Sequence, residues 1–356
     1  AHQTRLPTGA LAWTTVGALA GKDISAAIFS PAFASDRTAF VGATNGIYRS
    51  LDSGVTWSRV VITAEEVTSI ALSPTFASDR TGFAITNGDG IWKTTNGGST
   101  WLRIRSTNGF GIALSPAFAN DRTVIAAGVD HLLRSTDGGA TWIASDTGID
   151  PIVIQNGDIR GVAISTSFAS DHIVYATTLS AGISKSTDGG ATWAEANPAA
   201  LDIASATAIA TGAGGDVVAA FFDGAYWSGN SGATWNRIVS GAVHGIGFSP
   251  TYASDNTIFI ATSTGVTHWK NGVVSVMAQG WPGGTAQAVA AGHGSVLLAG
   301  RASGAAIARA AYASAAIAVS KTVDATPNQI TTATLTPTTV LPAGTTTDEF
   351  LSTMDV

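Results

Sequence analysis

Apolar positions in this chain come in short runs, each cut by a turn residue before it grows long. Between residues 70 and 104 the runs are Ile70-Ala-Leu72, Gly82-Phe-Ala-Ile85, Gly90-Ile-Trp-Lys93 and a fourth opening at Trp101, with Ser-Pro, Asn-Gly and Gly-Gly between them. Runs of this length bounded by Gly, Pro, Asn and Ser predict strands of an all-β fold, because a helix needs a longer periodic stretch to bury one face. The four strands occupy about 42 residues, and the arrangement then starts again.

The recurrence is anchored by an eight-residue box. Ser50 to Trp57, Thr94 to Trp101, Ser135 to Trp142, Ser186 to Trp193 and Ser228 to Trp235 share the pattern Ser/Thr-x-Asp/Asn-x-Gly-x-Thr-Trp. Its acid or amide falls at Asp52, Asn96, Asp137, Asp188 and Asn230, in steps of 44, 41, 51 and 42 residues; a further step of 41 reaches a decayed copy at Lys270-Asn271-Gly272. A second motif runs in phase, with Phe33-Ala-Ser-Asp36, Phe76-Ala-Ser-Asp79, Phe118-Ala-Asn-Asp121, Phe168-Ala-Ser-Asp171 and Tyr252-Ala-Ser-Asp255, and it is missing from the fifth repeat.

A four-stranded unit of this size cannot bury both faces alone, so the units must stack, and a closed ring removes the end faces. After the sixth unit, the stretch from Ala288 to Ala299 supplies two strands and Gly304 to Arg309 a third, with no fourth behind it. The Trp-led run Leu11-Ala-Trp13-Thr-Thr-Val16 is that fourth strand. The prediction is a seven-bladed β-propeller over residues 1–315, its last blade closed by the N-terminal strand, with a C-terminal β-strand extension over 316–356.

The boxes resemble the Asp-box, or BNR, repeats of sialidases, sortilin-type receptors, two-propeller xyloglucan hydrolases and a photosystem assembly factor, a likeness that covers about residues 10 to 315. The resemblance implies that each box is a turn between third and fourth strands. There Asp52, Asn96, Asp137, Asp188 and Asn230 accept turn N–H groups, and Trp57, Trp101, Trp142, Trp193 and Trp235 pack the turn onto the sheet. Two boxes carry Asn, which cannot serve as a general base, so a structural role is expected. Both motifs should share one rim. A specific site then belongs on the opposite rim, where the 51-residue step inserts Asp146, Asp150, Asp158 and Arg160 as a candidate binding loop. Trp281 is a candidate sugar-stacking aromatic.

Enzymatic readings fare poorly. Glycoside hydrolysis needs two facing carboxyl groups, yet there are four Glu, at 65, 66, 195 and 349, and most Asp lie in the repeated motifs. The sialidase likeness lacks its Arg-Ile-Pro motif, and a xyloglucanase-like cleft needs a second propeller. No catalytic residue, cofactor or metal is expected, since six His show no ligand spacing and Cys is absent.

Composition bears on location and partners. Charged residues make up 12%, about half the usual share, and the net charge is -6 without a basic run, which argues against nucleic acid. No apolar stretch approaches the roughly 20 residues of a spanning helix. The opening Ala1-His2-Gln3 suits a chain whose signal peptide has been removed, placing it outside the cell or on its surface. In the Thr/Pro-rich tail, Ile317, Val319, Val323, Ile330, Leu335, Phe350 and Met354 alternate as strand positions without a core of their own. Strand addition to a neighbour would pair them. The leading expectation is a non-enzymatic extracellular structural protein that self-assembles through this tail into a filament or surface array. The alternative is a secreted carbohydrate- or protein-binding propeller, or a glycoside hydrolase related to the Asp-box enzymes.

Overall fold

The computed structural model describes residues 11–60, 65–197, 205–293, 296–301, 303–310, 318–320 and 334–336. Within Leu11–Arg309 the strands form seven four-stranded antiparallel sheets, the blades of a β-propeller. In blades 1 to 6 strand order follows chain order from the axis outward. Their inner strands are Ile24–Phe29, Glu66–Leu72, Gly109–Leu114, Ile159–Ile164, Ala206–Thr211 and Val243–Phe248. Blade 7 runs from Ala286–Gly292 through Val296–Arg301 and Gly304–Ala310 to Leu11–Thr15, the N-terminal strand. The predicted closure is therefore present, held by Val16 N–H to the Ala305 carbonyl at 2.9 Å and the Thr14 hydroxyl to the Ile307 carbonyl at 3.2 Å.

The core lies between blades. Seven clusters of buried residues each join one blade to the next, as Phe40 and Ile47 of blade 1 join Val67, Ile70 and Phe76 of blade 2. The box Trp belongs to these wedges: Trp101 packs with blade 1, Trp193 with blade 3, and Trp57, Trp142 and Trp235 border the corresponding clusters. Each Trp thus packs against its own blade and its neighbour at once. A flat ring of that size covers more apolar area by wedging between two sheets than by lying on one. Trp13 completes the series, 3% exposed, in the cluster that joins blade 6 to blade 7.

A polar latch crosses several of the same seams. The residue before the box Ser or Thr donates to the next blade's box backbone: Arg49 Nη1 to the Gly97 carbonyl at 2.8 Å, Lys93 Nζ to Gly138 at 2.7 Å and Lys185 Nζ to Ser231 at 2.6 Å. In blades 5 and 6 that position holds Trp227 and Trp269, whose rings lie 5.6 Å apart.

Outside the propeller, Ala318–Ser320 pairs antiparallel with Thr334–Thr336, setting Val319 opposite Leu335. Ile317, Val323, Ile330, Phe350 and Met354 lie outside the described residues.

Candidate functional site

Every inner strand breaks register with its neighbour at the same place, near the end where the strand enters its blade. The residues bypassed are Ser25, Thr68, Phe110, Arg160, Thr207, His244 and Gln287, and all seven line one cavity of about 240 Å³. A bulge turns one extra side chain out of the alternation; repeated round the ring, it aims seven side chains at the axis. The next residue is always small: Ala26, Ser69, Gly111, Gly161, Ala208, Gly245 and Ala288. Here the inner strands converge, and a Cβ on Gly111 would stand 3.0 Å from the Gly161 Cα.

This mouth opens on the rim of the interblade links. The box turns and the Phe-Ala-Ser-Asp turns sit at the other rim, as the pairing of Phe29 with Ala39 and of Ala39 with Ser50 requires.

Three ring members tie neighbouring blades together. The Thr68 hydroxyl donates to the Gly109 carbonyl at 2.8 Å, Thr207 to Val243 at 3.2 Å, and Ser25 to the Glu66 carboxylate. The other polar members remain open. Arg160 lies over the Phe110 ring at 4.3 Å and uses Nη1 on the carbonyls of Gly157 and Ile159, at 2.7 and 3.1 Å, leaving Nε and Nη2 without an acceptor among the described residues. Burial pulls the guanidinium below its ordinary pKa, and the Asp158 carboxylate opposes that shift. Gln287 Oε1 is buried and has no hydrogen-bond partner among the described residues. Burial also lowers the His244 pKa, which favours the neutral ring. The cavity thus joins one cation, an unmatched acceptor and a neutral imidazole, and no carboxylate lines it.

Of the predicted loop residues, only Arg160 lines this mouth. Asp146 bonds His131 Nδ1 at 2.6 Å, and Asp150 caps the helix Pro151–Gln155 by accepting from Ile152 N–H at 2.9 Å. The insertion also buries Ile149 and Val153 between blades 3 and 4, and its Thr147 carbonyl accepts from Trp193 N–H at 2.9 Å. It is largely an interblade filler. Trp281 packs edge-on against Trp13 at 5.1 Å.

The acid or amide of each box is saturated within its own turn, whereas Trp101 Nε1 is buried with no partner among the described residues. Asp52 accepts from the N–H groups of Val55 and Thr56 and from the Ser50 and Thr56 hydroxyls, the last at 2.5 Å. In Asn96 and Asn230 the last bond reverses, Nδ2 donating to Thr100 and Thr234 at 2.8 and 2.9 Å, while Oδ1 keeps the backbone bond. The second motif forms one helical turn. Its Asp bonds the Ser six residues earlier, as Asp121 does Ser115 at 2.5 Å, and the following Arg37, Arg80 or Arg122 takes a left-handed conformation that closes the turn. A larger cavity of about 400 Å³ lies between blades 2 and 3 on this rim; of its four ionic groups, Asp79, Lys93 and Asp137 are held by Ser73, Gly138 and Thr141, and the fourth is the Arg122 guanidinium.

No sequence-family model matches this chain, and no curated protein does. Among solved structures it is similar to the extracellular domain of a protein assigned as a hybrid two-component system in B. thetaiotaomicron, at 11% identity and TM-score 0.65, over 87% of this chain and 41% of that one. It is also similar to the GH74 xyloglucanase of Xanthomonas campestris, at 15% identity and TM-score 0.61, over 83% and 53%, and to YCF48 of Cyanidioschyzon merolae, at 14% and 0.62, over 84% and 98%. The chain spans about half the length of the first two, and at these identities the likeness is one of fold: a seven-bladed β-propeller.

Proposed function

We propose that this chain is an extracellular, non-enzymatic propeller that works by binding, with its ligand at the channel mouth. One observation carries the reading. Seven equivalent ring positions face a common cavity with differing side chains, while the acids and amides of the two repeated motifs are engaged within their own turns. Differences among equivalent positions break the symmetry of the ring and can select a ligand. The resemblance of the boxes to Asp-box repeats, the low charge and the likeness to an extracellular domain support secretion. The test is a screen of the full chain on glycan and peptide arrays beside a Thr207→Trp variant that fills the mouth. Hits that vanish in the variant support the reading; hits that persist, or no hits, count against it, and hydrolysis of a hit glycan ends the non-enzymatic part.

Self-assembly is the second reading, favoured by one edge. The outermost strand of blade 6, Val273–Val276, exposes three Val and carries no charge, whereas the corresponding strands of blades 1, 2, 4 and 5 carry Arg59, Arg103, Glu195 and Arg237; those of blades 3 and 7 are also uncharged, but the first is two residues long and the second buries its Trp13. Uncharged apolar edges accept strands, and residues 316–356 would be the donor for a filament or surface array. Sedimentation should then depend on concentration for the full chain and not for Val274→Lys; a concentration-independent monomer in both removes the reading.

A further inference from the structure

Resting on the binding reading above, we infer that the channel mouth is a site for a sugar acid of the uronate class. The argument is one of matching groups. Arg160 lines the cavity with Nε and Nη2 lacking an acceptor among the described residues; the nearby Asp158 carboxylate accepts no bond from it and the Glu66 carboxylate is taken up by Ser25, so the two nitrogens still call for an anionic acceptor. A guanidinium fork fits a carboxylate with two parallel bonds. Gln287 Oε1 calls for a hydrogen-bond donor, since a buried acceptor without one is costly.

A bare carboxylate supplies the first need and fails the second, because it has no hydrogen to give. A neutral sugar does the reverse. A hydroxylated carboxylate of monosaccharide size meets both, and the volume of about 240 Å³ lies below the range usual for drug-sized ligands. The neutral His244 imidazole offers one more donor or acceptor to a ring hydroxyl without adding charge. The Ser25, Thr68 and Thr207 hydroxyls, already tied to the next blade, hold the wall in place.

Titration of the full chain with glucuronate, glucose, acetate and a free-carboxylate tripeptide, followed by NMR, tests this. Glucuronate should bind at least about tenfold more tightly than glucose or acetate, given the strength of a bond to a charged group. Arg160→Gln should erase the preference over glucose, Arg160→Lys should keep part of it, and Gln287→Leu should erase the preference over acetate while leaving the charge response. Thermal melts of each variant separate lost folding from lost binding. Equal binding of glucose and glucuronate, tighter binding of the tripeptide, or no binding of glucuronate overturns the inference. If array ligands are still lost in Thr207→Trp when glucuronate fails, the mouth binds something else and only the sugar-acid assignment falls.

Discussion

At the scale of single residues, the box shows how a repeat tolerates exchange of Asp for Asn. Both place an oxygen under the backbone N–H of the box Thr, and the Thr hydroxyl rotates to donate to Asp or accept from Asn. The charge is still not silent. Hydrogen bonds from Thr192 hold the Asp188 carboxyl at about 2, those from Thr141 hold Asp137 lower still, and at Asp52 desolvation, the largest single influence, acts upward but is outweighed by the bonds from Thr56, Ser50 and Val55 together. A carboxyl whose folded pKa is depressed contributes stability that is complete above its unfolded value near 3.9 and is lost as pH falls through the folded value. The triple variant D52N/D137N/D188N should therefore resist acid better: between about pH 4 and 2 its unfolding midpoint should fall less steeply than that of the parent. Parallel acid limbs in urea titrations of the two proteins would show that the boxes do not set that slope.

Among elements, the inserted segment of blade 4 shows where sequence reasoning succeeded and failed. Its Gly148 has φ +95°, and a Cβ there would lie 2.1 Å from the Trp193 carbonyl, whereas Gly241, at φ +90°, has open space around the same position. Gly241→Ala should cost about 1 kcal/mol, the backbone term alone. Gly148→Ala should cost clearly more in chemical denaturation, because it also pushes the filler off the box of its own blade; equal costs would mean the segment is loosely seated. The strand order, the blade count and the closing strand were all legible, because they follow from a repeat whose apolar runs and turn residues recur in phase. Of the candidate loop residues Asp146, Asp150, Asp158 and Arg160, only Arg160 reaches the cavity, and the buried Ile149 and Val153 show that the segment also fills the seam between blades 3 and 4. The channel ring was missed because its signal lies in what does not repeat. A search for recurring residues passes over a position occupied by Ser25, Thr68, Phe110, Arg160, Thr207, His244 and Gln287. The small residue that follows each of them was visible, and its physical reason, the convergence of inner strands at the axis, appears only once the ring is closed.

For the molecule as a whole, closure decides how the blades share their stability. In an open stack each end blade has one neighbour and can fray; in a ring every blade has two, so a defect at one seam is opposed by the rest of the circle. The seam between blades 6 and 7 is the sensitive place to ask which description holds, since the strand that completes it comes from the far end of the chain. Trp13 is the wedge there: buried, packed with Ala261, Val266 and Met277, and donating Nε1–H to the Met277 carbonyl at 2.8 Å. Trp13→Ala removes that filling and the bond together and should cost about 3 to 5 kcal/mol, as large aromatic truncations do. Trp193→Ala, at the seam between blades 3 and 4, should cost a similar amount. If closure makes the seven seams equivalent, both variants will melt in one cooperative transition at comparably lowered temperatures by calorimetry. A separate early transition in Trp13→Ala alone would mean that blade 7 is an appended flap and that the ring is held together from blade 1 to blade 6.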